Sequence, residues 1–138
     1  MRFILIYLVL FFVSPVSGHD EHHSNENKTV FFVNLTDGEI VTSPFKVKFG
    51  ISGMDIVPAG VDKPMSGHHH LLINLDNLPN MSIPIPADKN QLHFGKGQTE
   101  TTIDLPKGKH SLQLLLGNYI HIPHEVPLLS EKIEIFVK

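Results

Sequence analysis

The sequence predicts an all-β domain, an immunoglobulin-like antiparallel β-sandwich of about seven short strands. Three observations point there. Apolar and polar residues alternate with period two in several segments. Glycine and proline punctuate the intervals between those segments, and no window carries a helical period. A small barrel built of the same strands is the alternative.

The elements follow in order. "TVFFVNL", starting at Thr29, is a first strand, and "TDGE", Thr36 to Glu39, is a turn built on Asp-Gly. In "PFKVKFGI" the side chains of Phe45, Val47, Phe49 and Ile51 face one way and those of Lys46 and Lys48 the other, as in a half-buried antiparallel strand. A long connection rich in glycine, proline and methionine runs from Ser52 to Gly67. "HHHLLINL" then opens a strand on three histidines, His68, His69 and His70, and the strand ends near Asp76. "NLPNMSIPIPADKNQ" is a proline-punctuated crossing. "TETTIDL" and "HSLQLLLG" are strands on either side of a "PKGK" turn. The prolines of "NYIHIPHEVP" keep that segment from being helical, so it is a loop. "EKIEIFVK" closes the chain, with Ile133, Ile135 and Val137 alternating against Lys132 and Glu134.

The start of the chain reads as an export signal. Arg2 supplies a basic start, Phe3 to Val13 carries no charge, and small residues at Val16 and Gly18 form a cleavage site. The apolar run is shorter than the about 20 residues that span a bilayer. The expected organisation is a signal peptide over 1–18 cut after Gly18, a flexible His-rich mature N-terminus over 19–28, and one β-sandwich domain over 29–138. The expected location is periplasmic or secreted, with no membrane-embedded segment after cleavage.

Composition excludes several classes. Lys and Arg number 11 against 14 Asp and Glu, a net charge of −3 with no basic patch, so nucleic acid is not an expected partner. Cysteine is absent. That removes disulfides, a lipid-attachment cysteine and thiolate metal sites, including the blue-copper arrangement. No G-x-S-x-G elbow, HExxH helix or phosphate-cradling loop appears, so nothing points to an enzyme, although redox activity at a copper site is compatible with the sequence.

The histidines are the chemically distinctive feature: ten in 138 residues. Side chains alternate along a strand, so His69 shares a face with Leu71 and Ile73, while His68 and His70 share the other. An HxH pair on a strand places two imidazoles about 7 Å apart at the backbone, close enough to converge on one ion. His93 in "LHFGKGQ" and the "HIPH" pair, His121 and His124, supply further ligands if the loops gather them. The expected metal ligands are thus His68, His70, His93, His121 and His124, with His19, His69, Met54 and Met65 as additional candidates. At His19 a free α-amine exposed by cleavage could chelate together with the imidazole. His110, which opens a strand alone, reads as a structural histidine. Imidazole ligands suit copper and zinc, and the affinity series favours copper. Protonation should weaken binding as the pH falls below about 6.5.

"PFKVKFGISGM", "PAGVDKPMSGHHHLLIN", "LHFGKGQTE" and "GKHSLQLLLGNYIHIPHEVPLLSEKI" together resemble the bacterial family called domain of unknown function 4399 (DUF4399). The resemblance covers about residues 30 to 137, and His68 to His70, His93, His121 and His124 fall on its recurrent motifs. It implies a small exported, periplasmic domain and brings no mechanism with it. Two functions compete on this reading. One is a periplasmic protein that buffers or delivers a metal ion, copper before zinc, through a histidine cluster. The other is a non-catalytic immunoglobulin-like module that docks an envelope protein.

Overall fold

The structure, a computed structural model, describes residues 27–138. The expected signal peptide, His19 and most of the expected His-rich N-terminus lie outside the described residues.

Among the described residues there are nine strands and no helix. They are β1 Thr29–Phe32, β2 Glu39–Val41, β3 Phe45–Ser52, β4 Asp55–Ile56, β5 Ser66–Ile73, β6 Gln91–His93, β7 Glu100–Ile103, β8 Gly108–Gly117 and β9 Ile133–Val137. The all-β expectation holds. β2, β4 and β6 lie in stretches that showed no strand pattern, because two or three residues are too few to display a period.

The strands form two sheets. The smaller has the order β1-β3-β7 and is antiparallel. The larger has the order β2-β9-β8-β5-β4, with β6 also paired to β5, and is curled into a half-barrel. Its ladders are mixed rather than wholly antiparallel as expected, since β2 runs parallel to β9 and β4 parallel to β5. β2 and β9 are far apart in the chain, whereas only residues 57–65 separate β4 from β5.

Alternation explains most of the core. Val47 and Phe49 of β3 are buried while Lys46 and Lys48 are exposed, and Ile133, Ile135 and Val137 of β9 are buried between exposed Glu134 and Phe136. Residues of both sheets meet in one cluster, with Val30, Val47, Phe49 and Ile103 from the smaller sheet. Leu71, Ile73, Leu112, Leu114, Leu116 and Ile135 come from the larger.

β5 departs from alternation, because all eight of its residues are buried. Its Leu71 and Ile73 face the main core, while Leu72 joins Leu115 and Ile85 in a second cluster on the opposite face, packed by Leu75, Met81 and Leu129. The Pro-rich crossing folds back over the sheet to make that second layer. A strand covered on both faces has no solvent-facing position, which is why "HHHLLI" lacks the apolar–polar alternation of β3 and β9 and encloses even its three polar histidines. The histidines at its start are therefore enclosed.

Candidate metal centre

β5 has β8 on one side and, on the other, β4 beside its first residues and β6 beside its later ones. In that ladder His70 stands directly opposite His93 of β6, and on the β8 side His68 is paired with Gly117. Strand parity turns His68 and His70 to the loop-covered face, where Leu72 lies, and turns His69 toward the main core.

Three imidazoles converge on the loop-covered face. His68, His70 and His93 each offer a ring nitrogen, all within 4.8 Å of one another. The centroid of the His68 ring is 4.8 Å from that of His70 and 5.0 Å from that of His93; those of His70 and His93 are 5.1 Å apart. Nε2 of His68 and Nε2 of His93 are 3.1 Å apart. Two nitrogens at that separation, each about 2.0–2.1 Å from one ion, would subtend about 100° at it. That lies between the square-planar and tetrahedral angles, so the spacing suits either.

His121 adds a fourth ring, 4.7 Å by centroid from His93 and 5.1 Å from His68, but 6.4 Å from His70. It arrives on the turn after β8 with a left-handed backbone, φ 69°. Its carbonyl accepts a hydrogen bond from the Ile85 amide at 2.9 Å, which ties the turn to the Pro-rich crossing.

Two glycines make room for the rings. A Cβ added at Gly117 would lie 2.7 Å from Cε1 of His70, and one added at Gly95 would run into the His93 ring. At both positions the missing side chain is a packing requirement of the cluster.

The cluster's polar atoms are poorly satisfied. His68 and His70 are fully buried, yet Nδ1 of His68 and both ring nitrogens of His70 have no hydrogen-bond partner. Buried polar atoms left unpaired cost about 1–3 kcal/mol each, and such groups in a native protein call for an explanation such as a bound ion or water. Burial, reinforced by repulsion from His93 and His121, lowers the pKa of His68 to about 4. Burial, then repulsion from His68, His93 and His121, lowers that of His70 to about 3, against a weaker opposing pull from the nearby His68 backbone. His93 is lowered as well, by burial and then by His121. The rings are thus held neutral at physiological pH, the form in which imidazole binds a metal. No carboxylate among the described residues joins the three converging nitrogens, so the ligand set is neutral and all-nitrogen.

The remaining candidates are not among the three converging nitrogens. His69 is buried on the core side, 5.2 Å by ring centroid from Phe49, its two ring nitrogens also without partners, and burial lowers its pKa to about 4. His124 directs Nε2 to the carbonyl of Ser66 at 3.0 Å, at the entrance of β5. Met54 packs against the main core, and Met65 is exposed at the turn into β5 with φ 56°. His110 bonds Asn74 through Nδ1 and the Pro106 carbonyl through Nε2, the structural role expected of it. Sequence reasoning missed Gly95 and Gly117 and gave Asn118 no role. A glycine ending the run "HSLQLLLG" was a visible signal, but its histidine partner was not.

The sequence profile described as "Domain of unknown function (DUF4399)" matches residues 47–138. The chain belongs to the DUF4399 family. The DUF4399 match begins in β3 and takes in His68, His70, His93 and His121, together with Gly95, Gly117 and Asn118. No curated protein and no solved structure matches the chain.

Proposed function

We propose that this DUF4399 protein is an exported metal-binding domain that buffers or delivers copper, in preference to zinc, in the bacterial periplasm. His68, His70 and His93 hold the ion, and His121 closes the set from the neighbouring turn. The observation that carries this reading is the convergence of three ring nitrogens within 4.8 Å, with neither nitrogen of buried His70 in a well-formed hydrogen bond. A neutral imidazole set suits divalent copper and zinc, and for a given nitrogen site copper is the tighter ion. Export rests on the signal-like residues 1–18, and the two-sheet core is read as an immunoglobulin-like scaffold for the site.

The test is metal retention. The mature chain, loaded with copper(II) or zinc(II) and desalted, should keep one equivalent by elemental analysis. Against an equimolar mixture it should keep mainly copper. A chain that emerges free of both ions would refute the reading, and a preference for zinc would refute its copper part. Fractionation of cells producing the full-length chain should place it in the periplasm.

A further inference from the structure

We propose that Asn118 is the positioning residue that holds His121 over the metal site, acting through its side-chain oxygen. The proposal deepens the metal-binding reading and rests on it.

The turn after β8 is short and closed at several points. The Asn118 amide donates to the carbonyl of Ile122 at 2.8 Å, and the His121 amide donates to the carbonyl of Asn118 at 2.9 Å. Inside that loop Oδ1 of Asn118 accepts from two more amides, those of Ile120 and Ile122, each at 3.0 Å. A bridge between Gly117 and Pro123 closes its base. The side chain therefore satisfies two amides that the tight turn withdraws from strand pairing.

What this secures is the backbone of His121. A φ of 69° is the left-handed region, which is unfavourable for a residue with a side chain and persists only where its surroundings enforce it. His68 and His70 need no such help, because β5 is paired on both sides, and His93 is held by its register with His70. His121 alone among the four rings depends on a turn. With the Asn118 oxygen removed, the amides of Ile120 and Ile122 lose their acceptor and the turn relaxes. The His121 ring then leaves its place 4.7 Å from His93 and 5.1 Å from His68.

The experiment uses the mature chain as wild type, Asn118→Ala, Asn118→Asp, His121→Ala and the Asn118→Ala/His121→Ala double variant. Copper(II) affinity, the number of coupled imidazole nitrogens by pulsed EPR, and unfolding of the metal-free protein are measured. Asn118→Ala should weaken copper by about tenfold, the size expected of an orienting partner, and should give the spectrum of His121→Ala. Asn118→Asp keeps the acceptor and should behave as wild type. The double variant should bind no worse than His121→Ala. Should Asn118→Ala fold poorly, Asn118→Gln keeps the amide but moves its oxygen by one methylene, and should show the same loss. Wild-type affinity and spectrum in the folded variant would overturn the proposal. So would a further loss when Asn118→Ala is added to His121→Ala. Failure of the wild-type chain to bind copper would overturn the metal reading and this inference together, whereas the other two results overturn only the inference.

Discussion

Nε2 of His68 and Nε2 of His93 meet at 3.1 Å, with the two rings nearly edge to face at 75°. In the metal-free protein one of these nitrogens carries a proton and donates it to the lone pair of the other. An ion between them needs both lone pairs, so the donor ring must move its proton to Nδ1. Nδ1 of His68 has no partner to resist that change. Binding then asks for a change of tautomer and not for loss of a proton.

Metal binding should therefore be insensitive to protons near neutrality. With His68 lowered to about 4 and His70 to about 3, calorimetric titration with copper(II) at pH 7 should give no proton release when buffers of different ionisation enthalpy are compared. Retention should persist to about pH 5 and fail below it, against the threshold near 6.5 expected of unperturbed histidine. Release of copper centred near pH 6.5 would show that the rings titrate as solvent-exposed groups.

The metal-free fold should lose stability in acid. The unfolded chain protonates His69 near the ordinary histidine value of 6.5, while burial holds the folded value at about 4. Between those values the unfolded state binds more protons, so stability is complete above pH 6.5 and falls as the pH drops toward 4. For His69 alone the loss is about 3 kcal/mol once the pH is below both values. Urea melts of wild type and His69→Phe across pH 4 to 7.5 should show the slope flattened in the variant. Equal slopes would place the acid sensitivity elsewhere.

Stability and binding should move in opposite directions at His70. Both of its ring nitrogens are buried without partners, and replacing an unsatisfied polar group by an apolar one of similar size removes that cost. His70→Leu should raise the unfolding free energy of the metal-free chain by on the order of 1 kcal/mol and weaken copper by at least about 100-fold. A destabilised variant would mean that His70 is satisfied in solution, by water for instance.

The two glycines beside the cluster should respond differently from each other. Gly117→Ala pushes a methyl to 2.7 Å from buried His70, at the end of a central strand where little can yield. It should cost about 1–3 kcal/mol of stability and impair binding. Gly95→Ala meets the ring of His93, which is only partly buried and can turn away. Its effect should fall on copper affinity with little change in the melt, and equal destabilisation by the two would contradict this packing account.

Much of the site was legible in the sequence, for reasons that belong to strands. Parity alone separates His69 from His68 and His70, and places His93 opposite to the buried Phe94, as the structure has them. Register then does what parity cannot, setting His70 against His93 across residues widely separated in the chain. The "HIPH" spacing lies on a turn, where spacing alone does not fix the direction of a side chain. With His121 in the left-handed region the two histidines diverge, one toward the cluster and the other to the Ser66 carbonyl. Only the hydrogen bonds of Asn118 reveal that geometry. The parallel pairing of β2 with β9 was equally hidden, because three residues such as Glu39 to Val41 carry no period and their partners lie at the far end of the chain.

The most direct measurement is X-ray absorption at the copper edge of the loaded protein, beside the same chain with His68, His70 and His93 all replaced by alanine. The account predicts an inner shell of three or four imidazole nitrogens at about 2.0 Å, no sulfur, and no retained copper in the triple variant. An inner shell of oxygen alone, or the same imidazole shell in both proteins, would contradict it.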